Sequence, residues 1–177
     1  RFMECSIGEI SISSNANYNS QFIPVFPLLL NSDLLLHYKI SEGEGSVLSD
    51  LSDNGNDGTI YGAIWSTDVP TPPDNNHSLS FDGEDDYVEL DNIQLDSDFS
   101  FETWVNANPS GNYNLSDAGA HILSIGANST TWATFAFGIS TNGEYTDGTP
   151  TLICEMGHYD HYAADISFPL GEWVHIG

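Results

Sequence analysis

Residues 78–90 read Ser78-Leu-Ser-Phe-Asp-Gly-Glu-Asp-Asp-Tyr-Val-Glu-Leu90, and the rest of the chain arranges itself around this stretch. Leu79 and Phe81 alternate with Ser78 and Ser80, the period-two pattern of a half-buried strand. Asp82-Gly83 follows, a pair that tolerates the positive φ of tight hairpin turns. Beyond Glu84, Asp85 and Asp86 the alternation resumes with Tyr87, Val88 and Leu90. The pattern predicts a β-hairpin with an acidic tip, either a solvated turn or half of a cation site.

Similar patterns recur on both sides. Leu34 to Ile40 reads as a buried strand, and 59–61 and 63–65 as short strands broken by Gly62. Phe99 to Asn106 places Phe99, Phe101, Thr103 and Val105 on one face and Trp104 among polar residues on the other. Further strands are expected over 121–125, 131–139, 151–156 and 173–176, with Asn142-Gly143 as a hairpin-type turn. Residues 1–32 read as an irregular leader or linker: Ile7, Ile10 and Ile12 hint at a strand, but 13–21 is Ser/Asn-rich. No run shows helical periodicity. Many short strands separated by Gly, Asn and Asp predict an all-β, antiparallel β-sandwich over 33–177.

Composition narrows the partners. The 177 residues hold 26 Asp and Glu against 2 Lys and Arg, a formal charge of -24. That field repels phosphate backbones and anionic membranes, which excludes nucleic acid as a partner, and it favours divalent cations. Such acidity is tolerated where salt screens the repulsion. No apolar run reaches membrane-spanning length, so no membrane insertion is expected. Two cysteines, Cys5 and Cys154, make no disulfide framework. Arg1 and the absence of a signal-like segment before Phe22 read as the start of a fragment or processed piece.

The order of several motifs resembles the laminin-G-like, concanavalin A-like jelly rolls of bacterial surface and secreted proteins. The matching pieces are His37-Tyr38, the run Asp50-Leu-Ser-Asp-Asn-Gly-Asn-Asp-Gly58, Ser80 to Gly83 with Asp85 to Val88, Phe99 to Trp104, and Gly171 to His175. The resemblance implies a concanavalin A-like jelly roll. It also implies further strands after Trp173-Val-His175, so the domain reads as incomplete at its C-terminus. A structural calcium near these loops, an extracellular or cell-surface location, and other domains in a larger parent chain follow from the same likeness.

Four constellations are candidates for chemistry. Asp50, Ser52, Asn54 and Asn56 alternate around Gly55 like the first half of an EF-hand loop. The closing glutamate is missing, since position nine is Gly58 and position twelve is Tyr61. A calcium ion held by Asp50, Asn54 and Asn56 would need further oxygens, and Asp82 or Asp85 are the best sources; the competing reading is that these residues only make turns. Glu89-Leu-Asp-Asn-Ile-Gln94 comes within one residue of the Glu-x-Asp-x-x-Glu of laminarinase-like hydrolases, but Gln94 cannot ionise. No catalytic residues are assigned. His158-Tyr-Asp-His161, with His121, His175 or Cys154, makes an incomplete zinc set. Trp132, Tyr145 and Tyr159, with Trp65 and Tyr162 beside them, are loop aromatics suited to stacking on sugar rings. The function expected is a non-catalytic carbohydrate- or protein-binding (adhesion) module, its partner a glycan or an extracellular protein. A glycoside hydrolase or polysaccharide lyase on the same fold, or a structural spacer, are the alternatives.

Overall fold

The computed structural model describes residues 2–15, 33–70, 76–90, 93, 95, 98–113, 120–126, 135–142, 147–156 and 160–177. Among them are thirteen strands and no helix: β1 (Glu4–Ser13), β2 (Leu34–Tyr38), β3 (Val47–Leu48), β4 (Gly58–Tyr61), β5 (Ile64–Ser66), β6 (Ser78–Asp82), β7 (Tyr87–Leu90), β8 (Ser100–Ala107), β9 (Ala120–Ile125), β10 (Phe135–Ser140), β11 (Thr151–Met156), β12 (Asp160–Ser167) and β13 (Trp173–Ile176). The fold is all-β, built of antiparallel sheets and consistent with a β-sandwich. Among the described residues no helix is long and apolar enough to cross a membrane.

The chain divides into two compact units. One comprises Cys5–Phe81, Asp86–Asn106 and Trp173–Gly177. Its larger sheet runs β13-β8-β1-β6-β5, with β2 also paired to β1; its smaller sheet runs β3-β4-β7. Tyr38 joins the two. It leaves β2 of the larger sheet, donates its hydroxyl to the Asn56 carbonyl, and lies against Gly58 of β4 in the smaller sheet. Ile12, Leu36, Ile40, Leu48 and Ile60 are buried with it. Ile40 has φ 54°, a left-handed backbone that a β-branched residue adopts only when its surroundings impose it.

The second unit comprises Arg1–Glu4, Asp82–Asp85 and Ala107–Glu172, and holds the sheet β12-β11-β10-β9. Ala120, Ala136, Ile139 and Ile153 are its buried apolar residues on these strands. Gly138 permits a close approach. The register between β9 and β10 shifts beside it, and a Cβ there would collide with the Ala120 carbonyl.

Two expectations are corrected. The Asp82-Gly83 turn does not join paired strands. β6 pairs with β5 (Ile64↔Ser80, Ser66↔Ser78), whereas β7 pairs with β4 (Thr59↔Glu89, Tyr61↔Tyr87). Residues 58–90 are therefore one long hairpin whose two arms both bend, changing sheets at 62–63 and at 81–86, with its reversal between Ser66 and Ser78. Gly62 (φ 78°) and Gly83 (φ 80°) supply the left-handed backbone at the two corners.

The second correction concerns the leader. Residues 4–13, where Ile7, Ile10 and Ile12 only hinted at a strand before the Ser/Asn-rich run, form β1, which lies between β8 and β6. Its buried Glu9 is met by residues of other strands. Glu9 meets the His37 ring, and its carbonyl accepts from the Thr103 hydroxyl.

The Tyr38–Gly58 contact is testable. A Cβ on Gly58 would stand 2.7 Å from Val88 Cγ1 and 3.0 Å from the Tyr38 hydroxyl, so Gly58→Ala forces the two sheets to adjust. We expect a loss of about 1–3 kcal/mol in urea denaturation; an unchanged midpoint would show that the sheets pack more loosely there.

Candidate functional site

The Asp50 loop is a closed hydrogen-bond system. Asp50 Oδ1 accepts from the N–H groups of His37 (3.0 Å) and Ser52 (2.9 Å). Oδ2 accepts from the Ser52 hydroxyl (2.8 Å) and the Asn56 N–H (2.9 Å). The Asn54 and Asn56 amides donate to the Leu34 and Leu35 carbonyls, each at 2.8 Å. Asp57 in turn accepts from the Asp50 N–H at 2.8 Å. Burial pushes the Asp50 carboxyl up, but these hydrogen bonds outweigh it and hold the group below the usual carboxylate range. Burial, then the charges of Asp50 and Asp57, raise the Tyr38 phenol far above its ordinary value, so it stays a donor. Asp50 thus organises the loop, with its oxygens turned to N–H and O–H donors.

Asp82 and Asp85 stand with Asp86 in the corner between β6 and β7. The three carboxylates offer ligand atoms within 4.8 Å of one another, two exposed and Asp86 half-buried. Asp82 Oδ1 also accepts from the Glu84 N–H at 2.8 Å. Asp50 belongs to the first-described unit, and Asp82 and Asp85 to the second.

Trp132, Tyr145, Tyr159 and His158 lie outside the described residues, as do Asp91, Asn92 and Gln94 of the hydrolase-like run. Trp65 is half-buried and donates its indole N–H to the Gly45 carbonyl at 2.9 Å. Tyr162 is exposed on β12. Of the histidines weighed for zinc, two sit beside glutamates: His121 Nε2 is 3.6 Å from Glu155, and His175 Nε2 is 3.4 Å from Glu102. His37 Nε2 stands 2.7 Å from Glu9, with both side chains almost wholly buried. Neither cysteine is in a disulfide, and burial, followed by the Glu155 charge, raises the Cys154 thiol.

A surface not anticipated from the sequence is the outer face of the sheet β3-β4-β7. Leu48, Gly58 and Ile60 point inward, which leaves Val47, Thr59, Tyr61, Tyr87 and Glu89 exposed. Tyr61 and Tyr87 are register partners, and their rings stack with centroids 4.7 Å apart at 16°. Thr59 and Glu89 form the next pair of exposed partners on that face. The Glu89 charge, foremost, raises the Tyr61 phenol, with smaller contributions from burial, from Tyr87 and from a hydrogen bond to Glu89. Asp86 packs against Gly62, where a Cβ would collide with its Oδ1. The alternation of Thr59-Ile60-Tyr61 and Tyr87-Val88-Glu89 was visible in sequence. What was missing was the pairing that brings the two tyrosines together.

Comparison with known protein families, with characterised proteins and with solved structures finds no match.

The loop gives a prediction with a defined sign. Asp50→Asn replaces one acceptor oxygen by an N–H₂ facing donors, and we expect a loss of about 1–3 kcal/mol near neutral pH. Because the folded Asp50 carboxyl is lowered, its contribution is complete above the unfolded value of about 3.9. It disappears as the pH falls through the folded value. Wild type and variant should therefore converge in stability in acid; a constant gap down to the acid limit would refute the role given to the charge.

Proposed function

We propose that this chain is a non-catalytic carbohydrate-binding module of a larger secreted or cell-surface protein, on a laminin-G-like jelly roll. The observation that carries the reading is the stacked, exposed Tyr61–Tyr87 pair on the outer face of the smaller sheet. Aromatic rings offer an apolar surface for the C–H face of a sugar, and the neighbouring Thr59 hydroxyl and Glu89 carboxylate offer hydrogen-bonding groups for its hydroxyls. The two rings already support each other, so little side-chain entropy remains to be lost on binding. Charge sets the class of glycan: a chain of formal charge -24 repels sulfated and uronic-acid polymers. Extracellular salt would screen the same charge and make such acidity tolerable.

Calcium belongs to this reading through Asp82, Asp85 and Asp86, whose clustered ligand atoms support it. The Asp50 loop does not fit an ion in the same way, because its oxygens already face donors.

Binding to an array of neutral and amine-bearing glycans, followed by calorimetry, tests the function. Tyr61→Ala and Tyr87→Ala should each weaken binding at least tenfold, about 1.4 kcal/mol, while leaving the circular dichroism unchanged. Unaltered affinity in both variants refutes the assignment of the surface, and release of reducing ends from the bound glycan refutes the non-catalytic reading. For calcium, we expect millimolar Ca²⁺ to raise the melting temperature and Asp85→Asn to abolish the rise. A melting curve that neither calcium nor chelation moves removes the ion from the account.

A further inference from the structure

We infer that the Tyr61–Tyr87 surface selects sugars carrying a free, protonated amine over their N-acetylated counterparts. The inference rests on the glycan-binding reading above and names the ligand's chemistry. Glu89 lies two residues from Tyr87 on the same exposed face of β7, about 7 Å along the strand. A sugar ring laid on the tyrosines therefore has substituents within reach of a carboxylate. No lysine or arginine lies in β3, β4 or β7, and the chain's two basic residues are Arg1 and Lys39. The ring faces attract an ammonium group through their quadrupole, and they do so alongside the carboxylate. Asp86, half-buried against Gly62, adds a second negative charge just before β7. N-acetylation removes the ligand's charge while keeping its ring and hydroxyls, so it isolates the amine's contribution.

The test compares a β-1,4-linked glucosamine trisaccharide with its fully N-acetylated form by calorimetry. It uses wild-type protein, Glu89→Gln and Tyr87→Ala in about 150 mM salt, where only charges within roughly 8 Å act strongly. The amine form should bind wild type at least tenfold more tightly. Glu89→Gln should reduce that preference below threefold by weakening the amine form far more than the acetylated one, and Tyr87→Ala should weaken both sugars. Equal binding of the two sugars to wild type overturns the inference while the glycan reading stands. If neither sugar binds, the inference falls, and the reading it rests on falls as well only if the glycan array is also silent. A preference that survives in Glu89→Gln and Tyr87→Ala alike reflects the net charge of the whole chain and overturns the assignment to this surface.

Discussion

A shortage of cations governs how this chain holds itself together. With 26 carboxylates and two Lys or Arg, conventional salt bridges cannot neutralise what folding buries. Taking an unpaired carboxylate out of water is costly enough that it needs a partner or a proton. The buried acids Glu9, Glu102 and Glu155 each stand beside a histidine. Loop acids instead take backbone N–H groups. Glu42 accepts from Ser41 and Ser49, Asp147 from Thr149, and Asp50 from His37, Ser52 and Asn56. The Glu9–His37 pair has the widest reach. It ties β1 to β2, while the Thr103 hydroxyl ties β8 to the same glutamate's backbone. Among the described residues, histidines and backbone N–H groups thus stand beside acids where lysine and arginine are scarce.

The same constraint explains which parts were legible in the sequence. Strands 100–107, 151–156 and 173–176 follow from alternation or β-branched composition, because apolar residues such as Phe101, Val105, Ile153 and Ile176 stand among their buried positions. Strand β1 was only hinted at by Ile7, Ile10 and Ile12, because Glu9, Ser11 and Ser13 are inward residues that look like surface ones, Glu9 until His37 and Thr103 are placed beside it. The Asp50 run was recognisable as a turn-forming loop. Its oxygens could be mistaken for ion ligands, since the donors that occupy them include a distant backbone N–H, that of His37.

The stretch 78–90 shows a different limit. Local sequence encodes that the backbone turns at Asp82-Gly83, but not which strands the flanking segments join. The hairpin arms pair with 58–66, and both arms bend near the same level. That bend also makes the candidate site. It ends β4 at Tyr61 and begins β7 at Tyr87, so the two rings meet at the margin of the smaller sheet, with Glu89 further along. Carboxylates read as a hairpin tip instead stand where the chain leaves one sheet for another.

The place of β1 between β8 and β6 has a consequence for how the chain is made. The hydrogen bond from Thr103 to Glu9 spans 94 residues. At ordinary synthesis rates roughly 5–20 s separate the appearance of its two ends. Over that interval β1 offers an unpaired edge of backbone donors and acceptors, the kind of edge that invites pairing with another chain. Closing so long a loop is also slow, because its entropy is lost before the contact forms. A nascent chain with many like charges is partly protected during that wait, since copies of it repel one another. The acidity that complicates the folded interior thus guards the molecule before it has one.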